Sequence, residues 1–403
     1  MSVTARTGAL RNVLRLSGAA TRAQLQHVSA RLLAAFACVC ALTATGAVRA
    51  ADISLGVIAG LTGPGASYGL GIARGAEMAV REINAAGGIN GSRIKLIIAD
   101  DASSAARSAI AMRRLVEANA DLIVGGWGSS QVLANMDIAE QAGIPYIVVG
   151  ATHPQITTSR NRWTFRVIAS DATMAEELAR VVVGHLGIKR VAVINDSNDY
   201  GVASRRVFVA ALARAGLMPV QVQSYETGDR DFSMQLARIR DAKPEALAVF
   251  GTVPAAPAIM RQARQLGISA RFVGTGGLAN EALMSSAPAA SEGTILISYF
   301  NEEVDPEAHA WADAYRKEFA GQPEPPRPVL GAWEYRAIRG IAVPCLKRFG
   351  PDRVRLRDCI AHWKGKLFGA RGEVYFDSTG QLVQRPVVVE VRGGVFHLLK
   401  NAN

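Results

Sequence analysis

From Asp52 onward, short runs of β-branched residues alternate with longer amphipathic stretches, and this alternation limits the possible folds more than any other feature. Residues 53–59 and 93–99 have the pattern of strands. The apolar positions that recur at helical spacing between them are Ile72, Ala76, Ala79 and Ile83. Strand–helix–strand repetition of this kind predicts a parallel sheet with helices on both faces.

The same alternation continues along the chain and then restarts. In the first unit the pattern predicts helices at 105–118 and 132–142 and strands at 122–124 and 146–149. In the second it predicts helices at 175–186, 203–215, 232–240 and 255–266, and strands at 190–194, 220–224, 246–250 and 272–274. Strand-like runs return at 373–376 and 387–391. Two units of similar size in 403 residues predict an α/β protein with two doubly wound parallel-sheet lobes.

In open parallel sheets, ligands bind beyond the carboxyl ends of the strands. The loops that follow the predicted strands are also the polar, glycine-rich segments of the chain. They are residues 60–69, 125–130, 150–154, 196–201, 251–255 and 274–280. We therefore expect a binding site where these loops meet.

The net charge of +11 is concentrated at the N-terminus. Residues 1–50 contain six arginines and no lysine, aspartate or glutamate, so more than half of the excess charge lies in this segment. The remainder has no basic run with interleaved aromatic residues, and we expect no nucleic-acid partner.

Residues 1–50 have the organisation of a signal peptide. An arginine-bearing region precedes an apolar stretch at 32–47, and Val48-Arg49-Ala50 offers small residues where a signal peptidase cleaves. The stretch is shorter than the roughly 20 residues of a membrane span. The pattern favours export to the periplasm, with an uncleaved membrane anchor as the alternative.

Two cysteines, Cys345 and Cys359, lie outside this segment. An even pair at close spacing suits a local disulfide in an oxidising compartment, and two buried free thiols are the alternative.

Motifs of common enzyme classes are absent from the sequence. Gly69, Gly71 and Gly75 follow a strand and open a helix, but their spacing is GxGxxxG rather than the dinucleotide pattern GxGxxG. Close helix packing explains these glycines better. Asp100-Asp101 is a candidate acid pair, although a role at the strand end explains it better. We expect no catalytic set, no cofactor and no metal site.

Several segments are specific enough to resemble a known family. They include residues 61–69, 75–91 and 100–101, and the resemblance continues through shorter motifs to Asp377. These segments resemble the branched-chain amino-acid-binding family, the periplasmic receptors of ABC importers with the type I binding-protein fold. The resemblance implies a three-strand hinge between two lobes, 51–170 plus 300–378 and 171–299 plus 379–403.

The resemblance also implies a function. Such receptors close on a small solute, and the membrane permease of the ABC transporter recognises the closed form. We expect a monomer with a small-molecule ligand, an amino acid or an organic acid. A ligand sensor of the same fold that reports to a signalling partner, and an enzyme on the same scaffold, are the alternatives.

Residues that match the family's ligand-binding positions come from both predicted lobes. Ser129 and Thr152 match hydroxyl positions that hold the ligand carboxylate, Ala151 contributes backbone, and Ser130 begins a helix whose N-terminus favours an anion. A plain helix cap at Ser129-Ser130 is the alternative. The matching aromatic positions are Tyr68 and Tyr200, with Trp127 as a further candidate for the pocket wall.

The sequence departs from the family at two of these positions. Amino-acid-binding members hold the α-ammonium with an acidic residue where this chain has Gly276, and an aromatic position near Thr252 has lost its ring. Burying an ammonium without a charged partner is costly. Either Asp196 or Glu281 has taken over this role, or the ligand has no α-ammonium, as in an aromatic or other organic acid.

Overall fold

A computed structural model of the chain describes residues 51–158, 161–253, 255–400 and 402. The predicted signal peptide at 1–50 lies outside the described residues. In the described part of the chain, no helix has both the length and the apolar character that a membrane crossing requires.

The first sheet is parallel throughout and has the strand order β2-β1-β3-β4-β5. Its strands are β1 (Ile53–Ala59), β2 (Ile94–Asp100), β3 (Leu122–Gly125), β4 (Tyr146–Val148) and β5 (Thr164–Arg166). The helices that alternate with them are Ala66–Ala85, Ala105–Glu117 and Ser129–Ala142. Ile72, Ala76, Ala79 and Ile83 are all buried, which confirms the helical pattern predicted between β1 and β2.

Helices from the C-terminal third pack against the first group. They are Pro306–Glu318, Pro328–Arg336, Val343–Phe349 and Arg353–Ala361, with a π-helical segment at Ala337–Ala342. A β-carbon on Gly75 would lie 2.3 Å from the Gly331 carbonyl oxygen, and one on Gly71 would lie 2.6 Å from the Leu330 side chain. The glycines of the GxGxxxG segment therefore allow two helices to approach closely, as the sequence suggested.

The second sheet has seven strands in the order β15-β14-β10-β9-β8-β6-β7. Its strands are β6 (Val191–Asp196), β7 (Gln221–Tyr225), β8 (Ala246–Phe250), β9 (Arg271–Gly274), β10 (Ile295–Ser298), β14 (Val387–Arg392) and β15 (Val395–Leu398). The first five are parallel. The last two form an antiparallel hairpin, and β14 pairs antiparallel with β10. This second sheet is therefore mixed rather than wholly parallel.

Six helices pack on the second sheet; three of them end within one residue of a predicted helix end, and the last two were not predicted. They are Asp171–Ala179, Asp199–Arg214, Ser233–Asp241, Ala255–Gln265, Ala282–Ser286 and Pro288–Ser291. The helix predicted at 175–186 begins earlier, at Asp171, because the Ser170 side chain caps it by accepting a hydrogen bond from the Thr173 N–H. It continues as a π-helical segment, Arg180–His185.

A buried arginine stands where the chain passes between the two sheets. Arg166, at the end of β5, donates to the Gln381 side chain (2.7 Å), the His153 carbonyl (2.7 Å) and the Thr157 hydroxyl (2.9 Å). Burial lowers the pKa of Arg166 to about 10, so it stays charged at neutral pH. Gln381 also donates to the Ile168 and Leu382 carbonyls. The chain segments around residues 166 and 381 are therefore held together by hydrogen bonds of Arg166 and Gln381.

The remaining strands form a small antiparallel sheet of β11 (Lys364–Gly365), β12 (Arg371–Phe376) and β13 (Leu382–Arg385). A disulfide joins Cys345 to Cys359, which links the last two helices before this sheet. Both cysteines lie far along the chain from the loops that follow the parallel strands.

Candidate functional site

The loops at the carboxyl ends of the two sheets face each other across a cavity of about 780 Å³. The predicted residues that line it are Tyr68, Trp127, Ser129, Ser130, Thr152, Tyr200, Thr252 and Gly276. Ala151 is buried and does not line the cavity. The structure therefore brings together residues that are up to about 200 positions apart in the sequence.

On the first-sheet side, the helix Ser129–Ala142 points its N-terminus at the cavity. The helix starts at Ser129, three residues before the helix predicted at 132–142 and one before Ser130, and Gly128 is its N-cap without any side-chain hydrogen bond. The alternative of a serine cap is therefore wrong. The Ser129 hydroxyl instead accepts a hydrogen bond from the His153 N–H (3.2 Å), which ties two cavity loops together. Free backbone N–H groups at this helix start favour an anion.

Thr152 contributes a second hydroxyl beside this helix start. Its side chain is 3% exposed, and its hydroxyl oxygen has no hydrogen-bond partner among the described residues. A buried hydroxyl that loses water without a replacement costs about 1–3 kcal/mol. Five other hydroxyls of the described residues are buried without a partner, and Thr152 differs from them because it lines the cavity. Thr152 is thus a candidate contact for a polar ligand atom.

A buried carboxyl group lies next to Thr152. The Asp171 N–H donates to the Thr152 carbonyl (2.9 Å), and the Asp171 carboxylate accepts from the Ser204 hydroxyl (2.8 Å). Burial raises the pKa of Asp171 to about 6. The hydroxyls of Ser204 and Thr152 oppose this rise. Sequence reasoning missed Asp171, because it resembles an ordinary acidic residue in a first helical turn.

Tyr68 connects the two sides of the cavity. Its hydroxyl donates to the Gly277 carbonyl (2.7 Å) and accepts from the Val253 N–H (3.0 Å). Its ring stacks on Trp127 with centroids 4.2 Å apart and planes 5° from parallel. Burial raises the pKa of Tyr68, so its phenol remains protonated and can make both hydrogen bonds. Nearby, Asn280 donates to the Ser67 hydroxyl (3.0 Å).

On the second-sheet side, Tyr200 lies against Thr275, with their hydroxyl oxygens 3.1 Å apart. Gly276 has space around it, since a β-carbon there would meet only the Met174 side chain, at 3.7 Å. Its φ is not in the left-handed region, so a side chain is sterically allowed. Thr252 also lines the cavity. None of these residues carries a charge.

The two acids considered as replacements are both engaged elsewhere. Glu281 is partly buried, does not line the cavity, and accepts a hydrogen bond from the Val329 N–H (3.0 Å). Asp196 lines the cavity, but its carboxylate accepts from the Asn198 N–H (3.1 Å) and the Thr227 hydroxyl.

The carboxylates of the acid pair Asp100-Asp101 accept hydrogen bonds from backbone N–H groups of the surrounding loops. Asp100 accepts from the Leu61 and Ala102 N–H groups, both at 2.8 Å, and Asp101 accepts from the Ser103 N–H at 2.8 Å. The described residues contain no group of three or more His, Cys, Asp or Glu side chains that could hold a metal ion.

Further cavity residues come from regions that carried no signal of a binding site. The C-terminal helix Pro328–Arg336 contributes Leu330 and Trp333, and the second-sheet side contributes Arg230 and Arg261. Pro328 is a residue typical of a helix start, but no sequence pattern relates Trp333 to the loop that contains Trp127, about 200 positions earlier.

A family model described as periplasmic binding protein matches residues 52–394. The chain belongs to the periplasmic binding protein family. An amino acid binding protein of Pseudomonas aeruginosa is 32% identical over 295 residues, which are 72% of this chain and 78% of that protein. As a family member, the chain is a solute-binding protein of the type found in branched-chain amino acid ABC transporters, and its family is periplasmic.

Solved structures of this family share the fold. The branched-chain amino acid transporter substrate-binding protein LivJ from Streptococcus pneumoniae, in complex with isoleucine, has a TM-score of 0.77 and 27% identity, covering 86% of this chain and 97% of that one. A solute-binding protein of an ABC transporter from R. palustris, in complex with benzoate, has a TM-score of 0.78 and 21% identity over 86% of this chain and 95% of its own. The fold is therefore the type I periplasmic binding protein fold that the sequence predicted.

Proposed function

We propose that this chain is the extracytoplasmic receptor of a branched-chain-amino-acid-type ABC importer and closes on a small carboxylate that lacks an α-ammonium group. In this proposal the lobes are residues 51–170 plus 300–378 and 171–299 plus 379–403. A membrane permease would recognise the closed form.

The observation that carries the proposal is the contrast between Thr152 and Gly276. A buried, unpartnered hydroxyl and a helix start offer hydrogen-bond donors to a carboxylate on one side. On the other side, the position that would hold an ammonium group is a glycine, and Asp196 and Glu281 are occupied by loop hydrogen bonds. A cationic group would therefore be desolvated there without a dedicated partner.

The similar proteins are compatible with either ligand class, amino acids or carboxylates without an α-ammonium group. The Pseudomonas aeruginosa relative is named for amino acids, whereas the R. palustris structure holds benzoate. The aromatic wall of Tyr68, Trp127 and Trp333 suits a planar or apolar body attached to the carboxylate.

Isothermal titration of the purified protein with matched ligand pairs tests the proposal. Each α-amino acid is compared with its deaminated analogue, such as leucine with 4-methylpentanoate and phenylalanine with 3-phenylpropanoate, with benzoate alongside. Ligand retained from expression is first removed by unfolding and refolding. We expect the deaminated acids to bind at least about tenfold more tightly than the amino acids, a difference of about 1.4 kcal/mol. Saturable micromolar binding of leucine would contradict the proposal.

A further inference from the structure

The cavity continues along the helix Ala255–Gln265, away from Tyr68. Ala255, Ala258, Arg261 and Gln262 all line it. At 1.5 Å per residue, Arg261 lies about 9 Å along the helix axis from Ala255. The helix begins next to Val253, whose N–H binds the Tyr68 hydroxyl. The cavity is therefore elongated, and its volume of about 780 Å³ lies well inside the range of pockets that enclose drug-sized ligands, about 300–1,000 Å³.

Two arginines stand at this distal end, and neither has an acidic partner. Arg261 donates to the Ser286 carbonyl (2.6 Å), a neutral group. Among the described residues, the Arg230 guanidinium makes no hydrogen bond or ion pair. Asp229 also lines the cavity, and one oxygen of its carboxylate accepts the Glu226 N–H (2.9 Å).

Gln262 fixes the two arginine-bearing elements relative to each other. Its side-chain nitrogen donates to the Arg230 carbonyl (2.7 Å), and its side-chain oxygen accepts from the Phe232 N–H (2.8 Å). The loop before helix Ser233–Asp241 is thereby tied to the helix that carries Arg261. The distal end is thus preorganised, which lowers the entropy cost of binding there.

We propose that Arg230 and Arg261 form a second anion-binding subsite, so that the ligand is an elongated dicarboxylate with its other carboxylate at Ser129 and Thr152. The inference rests on the proposed function, because it takes the first carboxylate position from it. The arginine pair supplies charge-assisted hydrogen bonds to the distal carboxylate, and the apolar wall between the two ends contacts the ligand body.

Matched mono- and dicarboxylates of equal length test this subsite. Octanoate is compared with octanedioate, and 3-phenylpropanoate with its para-carboxylated analogue, by isothermal titration at 0.15 M salt. Because both arginines are solvent-exposed, we expect the dicarboxylates to bind roughly fivefold to tenfold more tightly than the monocarboxylates. In Arg230→Gln and Arg261→Gln, this ratio should fall towards one.

The control is Arg271→Gln, which makes the same charge change at an exposed residue of the second-sheet side that does not line the cavity. It should leave the ratio unchanged. Equal affinity for the two ligand types in the wild type, with monocarboxylates still bound, overturns the subsite alone. An equal loss of affinity for monocarboxylates and dicarboxylates in the arginine variants also overturns the subsite, because it would show only long-range electrostatic attraction of anions. If neither type binds, the proposed function fails as well.

Discussion

The two sides of the cavity are built from different chemistry. On the first-sheet side, Ser129, Thr152 and a helix N-terminus offer hydrogen-bond donors beside a tightly packed backbone. On the second-sheet side, Thr252 and Gly276 line the cavity without a charge, and Gly276 has space for a side chain. In the proposed function, the first-sheet side holds the anionic group of the ligand, and the position of Gly276 on the second-sheet side decides whether an ammonium group is accepted. Under that proposal, the ligand class depends on a few residues of one side.

The first-sheet side is tested most directly by Thr152→Val, which removes the hydroxyl and keeps the shape. We expect the affinity for the carboxylate ligand to fall roughly 10- to 100-fold, because a hydrogen bond to a charged group contributes about 1.5–3 kcal/mol. The unliganded protein should lose little stability, since this hydroxyl makes no hydrogen bond of ordinary geometry there and acts only on the pKa of Asp171. Titration calorimetry and thermal unfolding measure the two effects.

Thr152→Ser is the matched control, because it keeps the hydroxyl and should keep most of the affinity. If the valine variant binds as tightly as the wild type, the first-sheet side does not hold the carboxylate.

The second-sheet side is tested by restoring an acid with Gly276→Asp. The site has room for a β-carbon, with Met174 at 3.7 Å as the nearest neighbour. A carboxylate there would attract an ammonium group and repel a second anion. We expect the affinity for leucine relative to 4-methylpentanoate to rise about tenfold, measured as a ratio of dissociation constants.

Gly276→Asn has nearly the same size without the charge and should leave the ratio close to that of the wild type. An aspartate variant with an unchanged ratio would mean that residue 276 does not face the ligand's α-substituent.

The connection between the two sides is tested by Tyr68→Phe. The variant keeps the stacking on Trp127 and loses the hydrogen bonds to Gly277 and Val253. We expect the free energy of closing the cavity to become less favourable by about 1 kcal/mol, which weakens ligand binding roughly fivefold. The unliganded protein should also have a larger radius of gyration in solution scattering.

Tyr335→Phe is the control, because it removes a tyrosine hydrogen bond, to Glu82, between two helices that pack on the first sheet. Equal radii of gyration for the wild type and the Tyr68 variant would show that this phenol does not hold the two sides together.

Local patterns predicted much of the fold. The strand at 246–250 and the helix start at 255 coincide with the structure, since apolar periodicity and turn residues are local signals. The C-terminal helices were not predicted from the sequence, although Asp305 accepts the Ala308 N–H as an N-cap and Pro306 follows it. The antiparallel β14–β15 hairpin was missed although Gly393-Gly394, both at positive φ between two strands, is a local hairpin signal.

The candidate site was predictable only in part. Its loops follow from strand ends, and the family resemblance supplied Tyr68, Ser129 and Thr152. The burial of Asp171 beside Thr152 and the contribution of Trp333 follow from tertiary packing, which no local pattern encodes. The distal arginines look like ordinary exposed charges until Gln262 is seen to tie their loop and helix together.

The interleaving of distant segments has a consequence for how the protein is made. Helix Ala66–Ala85 is covered only when helix Pro328–Arg336 is available, and β10 gains its second neighbour only when β14 at 387–392 has been synthesised. A growing chain therefore exposes an uncovered apolar surface and an open strand edge until its last residues appear. The second sheet and the helix cover of the first sheet therefore cannot be completed before the C-terminal part of the chain is synthesised. Such a chain suits a route in which a holdase shields the exposed surface until then.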